Sequence, residues 1–325
     1  MNTNTVKKNN KQIVTVAVIT YHSSATVLET LDSIVNQNYG PANIELIISD
    51  DGSKDNTVRV INDWLVQHQT KFHCVKFYAN KINGGISKNC NVAWKAATSE
   101  WIKTIAGDDI LLPSCIADNI EYITECKNDD IAVLFSKMQS FKVSEFGIKQ
   151  DLSILPTLDD QKIFQLSAIE QFRYLQRQGI SGAPSAFINR IKLAAIGFAD
   201  ERFSMIEDHP LWFKYTSNKN KLFFMNSVTV RYRIGDSVSR SKTTLINERF
   251  IKEIINIDEE IIIPSLNDGG FLLVIRKRLW ANFALLISRA FNNRVNCVSK
   301  FLLLIAFSIR PGFVKFQLSK LKRKS

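Results

Sequence analysis

Apolar runs of strand length alternate with amphipathic stretches of helical period through the first 135 residues of this 325-residue chain. IVTVAVIT (13–20) is a β-branched run that predicts a buried strand. SATVLETLDSIVNQ (24–37) puts Val27, Leu31, Ile34 and Val35 at helical spacing behind Ser24, the expected cap, and IELIIS (44–49) is the next strand. DNTVRVINDWLVQHQ (55–69) predicts a helix with Asp55 as cap and Val58, Ile61 and Leu65 on one face. HCVKFYA (73–79), the helix SKNCNVAWKAA (87–97) behind a Ser87 cap, and WIKTIA (101–106) continue the alternation. Strands and helices in that order, with short connections, predict an α/β fold around a mostly parallel, doubly wound sheet. Such sheets bind ligands at the carboxyl ends of their strands. The polar clusters fall there: Thr20-Tyr21-His22, Asp50-Asp51-Gly52-Ser53, Asn83-Gly84-Gly85 and Asp108-Asp109.

Regularity weakens beyond this half. Residues 141–180 predict one amphipathic helix, over 160–177, and the stretch 181–240 predicts a short strand (185–189), a helix from near Ile206, and the strands KLFFMN and VTVRYRI. From about residue 250 the pattern is helical, and on a continuous helix Arg278, Asn282 and Arg289 share a face while Leu279, Phe283, Leu286 and Ile287 point largely elsewhere.

Composition changes this picture at the tail. The formal net charge is +11, yet residues 271–325 hold twelve Lys/Arg and no Asp or Glu, which leaves 30 basic and 31 acidic side chains in residues 1–270. The main domain therefore has no positive field for a phosphate backbone, and no nucleic-acid partner is expected. Five widely spaced cysteines without a CxxC pair indicate neither a disulfide framework nor a zinc site, and a reducing cytoplasm is the simplest home. No apolar core of a signal peptide precedes the first strand. LWANFALLIS (279–288) and FLLLIAFSI (301–309) reach about half of the roughly 20 residues that a spanning helix needs, so no membrane crossing is expected.

Four motifs carry candidate chemistry. ISDDGSKDNT (48–57) ends a strand with two carboxylates; it reads either as a capped turn or as a reader of base or ribose hydrogen-bond donors. GDDILLP (107–113) sets Asp108 beside Asp109 after a buried strand, and a helix cap would account for one of them only. Hard divalent cations take one or two carboxylates plus substrate phosphates, so Mn²⁺ or Mg²⁺ between Asp108 and a diphosphate would offset their repulsion. NGGISKNCN (83–91) is either a turn into a helix or a set of polar contacts from Lys88 and Asn91; the chain has no GxGxxG after its first strand and no P-loop. SMIEDHPLWFKY (204–215) puts Glu207-Asp208 at a helix start, as favourable dipole charge or as a general base; His209 beside it is a weak metal candidate.

In order and spacing these stretches resemble the family 2 glycosyltransferases of GT-A fold. VAVITYHSSATVLETLDSIVNQNY is similar to the family's opening strand and helix, IELIISDDGSKDNT to its DDGS-x-D element, NGGISKNCNVAWKAATSEWIKTIAGDDILLP to the region ending in its DXD metal motif, EDHPLW to its ED-x-x-x-W segment, and VRYRIGDSVSRS (230–241) to the Tyr-Arg and Ser segment that follows. The likeness covers about 225 residues and stops near residue 245. It implies a GT-A domain over 13–245 with a nucleotide-binding half (13–110) and an acceptor half (111–245); the polar first dozen residues predict a flexible terminus (1–12), and the pattern and charge of the tail predict a helical basic extension over 246–325. The likeness also implies that Thr20, Tyr21, Asp50, Asp51, Ser53, Asn83, Gly85, Lys88, Asn91, Asp109, Arg233 and Ser237 serve the nucleotide-sugar, that Asp108 binds the metal, and that Asp208 is the base with Glu207 as fallback. Two positions depart from the family: Ala106 stands where DXD begins, and Cys90 replaces a common arginine, leaving Lys88 as its substitute.

The activity implied is inverting transfer from a UDP-sugar to a hydroxyl of a lipid-linked saccharide, in O-antigen or capsule assembly. The basic tail, 271–325, then reads as a patch for anionic membrane at the cytoplasmic face, or as a helical cap with solvated lysines. Two rivals remain: a nucleotidyltransferase, which would want a basic Gly-rich loop soon after the first strand, and an inactive nucleotide-sugar binding module, motivated by Ala106.

Overall fold

The computed structural model describes residues 11–126, 130–235, 244–266, 270–311 and 313. The amino-terminal half forms β1 (Val14–Thr20), α1 (Val27–Val35), β2 (Ile44–Asp50), α2 (Thr57–His68), β3 (Cys74–Ala79), α3 (Ile86–Ala96) and β4 (Trp101–Ala106). Then come β5 (Ile110–Leu111), α4 (Cys115–Cys126), β6 (Val133–Val143), β7 (Lys149–Leu155), the short α5 (Leu158–Gln161), α6 (Ala168–Leu175), β8 (Phe187–Asn189), α7 (Arg190–Ala195), α8 (Asp208–Ser217) and β9 (Leu222–Arg233). Three helices follow: α9 (Glu248–Ile257), α10 (Phe271–Ala290) and α11 (Cys297–Ile309).

The nine strands form one sheet of order β3-β2-β1-β4-β8-β6-β9-β5, with β7 also on β6. β1 to β4 are mutually parallel, as expected. β8 runs antiparallel to β4 and β6, and β5 and β7 run antiparallel to β9 and β6, so the sheet is mixed. Burial follows from period-two alternation. Val14, Val16 and Val18 of β1 pack with Leu31, Ile34, Ile61 and Leu65 of α1 and α2, while Ala17 and Ile19 face the other way, toward Trp94, Phe135 and Trp212. Two cores thus sandwich the sheet.

Several local expectations change. Ser24 and Ser87 do not cap: α1 begins behind Thr26, which makes no side-chain capping bond, and the Ser87 hydroxyl donates to the Phe203 carbonyl. Residues 160–177 are not one helix. α5, a 3-10 turn and α6 share the segment, and a Ser167/Glu170 capping box restarts it. KLFFMN and VTVRYRI are one strand, β9, whose register on β6 jumps between Phe224 and Val228, so the intervening polar residues form a bulge.

Candidate active site

The carboxyl ends of β1, β2 and β4 meet in a polar floor. Asp50 is fully buried, and its carboxylate accepts from the Thr20 hydroxyl (3.0 Å), the Ser53 N–H (2.9 Å) and the Ser53 hydroxyl (2.6 Å). Ser53 Oγ in turn accepts from the His22 N–H (2.8 Å). Asp50 and Ser53 therefore tie the β1 and β2 turns together. Asp51 points the other way, accepting from the Gly84 N–H (2.8 Å) and the Gly85 N–H (2.9 Å). Burial and the neighbouring Asp50 push its pKa up against those two bonds. Asp51, Asn80, Lys81, Ile82 and Lys88 line a pocket of ≈ 230 Å³. Asn83 is exposed at the rim of the same loop, and Tyr21, 48% exposed, stacks on His22 at 4.1 Å.

Two asparagines of α3 work inside the protein. Asn89, which the sequence did not single out, accepts from Ser49 Oγ (2.5 Å) and donates to the Thr20 carbonyl (3.2 Å) and the Ser49 carbonyl (3.1 Å). Asn91 donates to the Ala199 carbonyl (3.0 Å) and Glu201 (2.8 Å) and accepts from the Ala199 N–H (3.0 Å), so its amide holds the 199–201 loop.

Asp108 and Asp109 follow β4. Asp109 Oδ1 accepts from the Arg233 N–H (2.8 Å). Its Oδ2 is the only carboxylate oxygen among the described residues that is buried without a hydrogen-bond partner. Burial, and then the charge of Asp108, hold the Asp109 carboxyl well above the usual range; burial raises Asp108 too, with Arg233 opposing. The Arg233 guanidinium does not reach across the pair: it donates to the Asp108 carbonyl (2.8 Å) and to Glu29 (2.6 Å), which Lys149 also neutralises (3.1 Å). Lys103, fully buried in β4, donates to the carbonyls of Thr104 (3.0 Å) and Pro184, and burial pulls its pKa down to about 8. The raised carboxyls and the orphaned Oδ2 are the condition that a divalent cation relieves, so the residues present fit one. Among the described residues no cluster of three or more His, Cys, Asp or Glu could hold an ion, so two carboxylates would need further oxygens from a ligand.

Glu207 and Asp208 stand at the start of α8, half-buried. Burial, the Asp208 charge and Glu253 raise Glu207 to about 8, and burial raises Asp208, whose Oδ1 accepts from the adjacent His209 N–H (2.7 Å). The charges of Glu207, Asp208 and Asp51 all bear on the buried Cys90 thiol and, after burial itself, raise it further. That shared neighbour brings the α8 carboxylates and the β2 terminus to one region. His209 is committed elsewhere: its Nε2 lies 3.1 Å from the Leu175 carbonyl, and burial lowers its pKa to about 4. Ser237 lies outside the described residues.

The model of the family described as "Glycosyl transferase family 2" matches residues 15–185. An uncharacterized glycosyltransferase of Rickettsia typhi is 24% identical over 238 residues, 73% of this chain and 68% of that protein. Staphylococcus aureus TarS, named as a poly(ribitol-phosphate) β-N-acetylglucosaminyltransferase, is 24% identical over 158 residues, 49% of this chain and 27% of that longer protein. The structure of TarS residues 1–349 with UDP-GlcNAc superposes with a TM-score of 0.59 at 20% identity, covering 93% of this chain and 81% of that one. A mannosyltransferase from Pyrobaculum calidifontis, solved with GDP-Man and Mn²⁺, gives 0.55 at 13% identity over 95% of this chain and 84% of that one. These last two likenesses speak for the fold, which is of GT-A type. The family model spans more than half of the sequence and both carboxylate turns of the floor, and by it the chain belongs to glycosyl transferase family 2 and is a glycosyltransferase.

Proposed function

We propose that the protein moves a sugar, with inversion, from a UDP-sugar to a hydroxyl of a saccharide acceptor, and that Asp208 takes the hydroxyl proton. The observation that carries the reading is a pair of raised carboxyls at each of two turns, Asp108-Asp109 after β4 and Glu207-Asp208 at the start of α8, the second pair sharing the Cys90 thiol as a neighbour with Asp51 at the β2 terminus. A carboxylate whose affinity for protons is raised toward neutrality suits general-base work. The family resemblance names Asp208 as the base with Glu207 as its fallback, and the Asp208 charge is among the causes that raise Glu207. One base suffices for a single displacement, because the acceptor oxygen attacks opposite the leaving group and no enzyme nucleophile is needed.

In this reading the donor's nucleotide lies over the pocket of Asp51 and Lys88, with Tyr21 and Asn83 at its rim. Asp108, backed by Asp109, would ligate Mn²⁺ or Mg²⁺, an ion that supplies positive charge for the departing diphosphate. UDP is favoured because the related TarS is solved with UDP-GlcNAc, and the metal because the mannosyltransferase is solved with Mn²⁺. The acceptor proposed is a lipid-linked intermediate of a surface polysaccharide, O-antigen or capsule, reached from the inner face of the membrane. No helix among the described residues is long and apolar enough to cross a membrane. Support for a surface role comes from α10 and α11, which expose Leu272, Leu279, Phe283, Leu286, Val298 and Phe301 in a region without one acidic residue. Charge selects the partner: a second copy would oppose cation to cation, whereas anionic lipid headgroups complement the patch.

Asp208→Asn tests the base. UDP release from a UDP-sugar should fall by about a thousandfold or more, with UDP affinity within about twofold of wild type. Turnover close to wild type would remove Asp208 from the mechanism, and UDP binding without turnover in the wild type itself would mark an inactive binding module.

A further inference from the structure

α9 belongs to the segment beyond the family likeness, yet it reaches the turn that leads into the base. Glu253 is 9% exposed, and its carboxylate faces the backbone of that turn. Its Oε2 accepts from the Ser204 N–H (3.0 Å) and the Ser204 hydroxyl (3.2 Å), and its Oε1 accepts from the Met205 N–H (2.6 Å). Charge-assisted bonds to successive N–H groups fix a turn more firmly than neutral ones. α9 is itself anchored, because Ile257 and the following Ile262 are buried in the core that contains Phe203, Ile206, Leu211 and Trp212.

Ser204 is held from the opposite side as well. Its carbonyl accepts from the Ile86 N–H (2.7 Å), and the Ser87 hydroxyl donates to the neighbouring Phe203 carbonyl. Gly85 sits at φ +88°, where a Cβ would collide with the Ser204 backbone. Gly85 is also one of the two N–H groups that Asp51 grips. A continuous path therefore runs from the β2 terminus through the Gly84-Gly85 loop to Ser204, three residues before Glu207, and from Ser204 to Glu253.

We propose that Glu253 is a positioning residue for glycosyl transfer: it fixes the Ser204–Met205 turn against the Gly85 loop so that Glu207 and Asp208 meet the acceptor from a set distance. This rests on the assignment of that pair as the base, but the turn itself can be read without it. In the full-length protein, amide hydrogen exchange in segment 203–207 should quicken about tenfold or more in Glu253→Ala, with β1 and β2 unchanged. Glu253→Gln, which keeps one acceptor oxygen, should lie between. With UDP as probe, affinity should stay within about twofold, while UDP release from a UDP-sugar should lose about tenfold or more in kcat at nearly constant KM. Unchanged exchange in 203–207 would overturn the proposal. So would exchange raised equally in β1 and β2, or a rise in KM at constant kcat, since both mark a residue that supports the fold or the donor instead. Measuring Asp208→Asn alongside separates the two claims: full turnover there with the exchange effect intact in Glu253→Ala would remove the base assignment and leave the turn's anchor standing.

Discussion

Glu45 and Asp109 are both buried acids, and their surroundings separate a structural carboxylate from a functional one. Glu45 accepts from Thr15 (2.6 Å), Lys76 (2.8 Å), the Thr98 N–H (2.9 Å) and the Thr98 hydroxyl (2.9 Å), and these bonds, against the cost of burial, bring its pKa down to about 2. Asp109 and Asp108 are raised instead. A folded pKa below the unfolded value stabilises the protein fully above the ordinary carboxylate range, and that stabilisation is lost as pH falls through about 2. Glu45→Gln should therefore cost on the order of 3 kcal/mol in urea unfolding at neutral pH, with the gap closing toward about pH 2. A gap independent of pH would show that packing, and not ionisation, explains the loss. In the sequence the pairs Asp108-Asp109 and Glu207-Asp208 stand out as adjacent carboxylates after apolar residues, and the family resemblance is what names Asp208 within the second. Sequence could not separate Asp50, held by Thr20 and Ser53, from Asp51, which lines the pocket, because the direction of a side chain at a strand end depends on the next turn. Lys103, Asn89 and Glu253 carried no local signal, since their partners lie on other elements.

Elements show the same division between local and distant information. β1 and β2 were legible because fully buried parallel strands are continuous apolar runs, IVTVAVIT above all, while the less buried β3 and β4 were legible from their alternation with helices. β7 was missed because its residues are nearly all exposed and give no alternation, and β9 was split because its bulge puts Asn226 and Ser227 mid-strand. The α10 face was read as carrying Arg278, Asn282 and Arg289 away from Leu279, Phe283, Leu286 and Ile287, of which Ile287 is buried. In the structure Trp280, Ala281, Ala284 and Leu285 turn inward, and Leu279, Phe283 and Leu286 stay exposed beside the basic residues. If this face meets lipid, the protein should co-sediment with vesicles containing anionic lipid and not with purely zwitterionic ones, more weakly as salt rises. Phe283→Glu with Leu286→Glu should reduce the bound fraction about tenfold or more. Equal binding to both vesicle types, or binding unaffected by the double substitution, would rule the face out as a lipid contact.

At the scale of the whole molecule, one carboxylate pair follows a strand of the mixed sheet and the other, with Asp109 and Asp208 99 residues apart in sequence, opens α8 behind a turn that Glu253 of α9 holds. Family membership assigns glycosyl transfer to the chain, and the proposed reading sets the donor's diphosphate, with a metal ion, beside the raised acids Asp108 and Asp109. Calorimetric titration of UDP with and without Mn²⁺, on wild type and Asp108→Ala, tests that claim most directly. Binding that strengthens about tenfold or more with Mn²⁺ in wild type, and loses that dependence in Asp108→Ala, is the expected result. Equal affinity with and without the ion in both proteins would contradict a metal-held diphosphate at the end of β4.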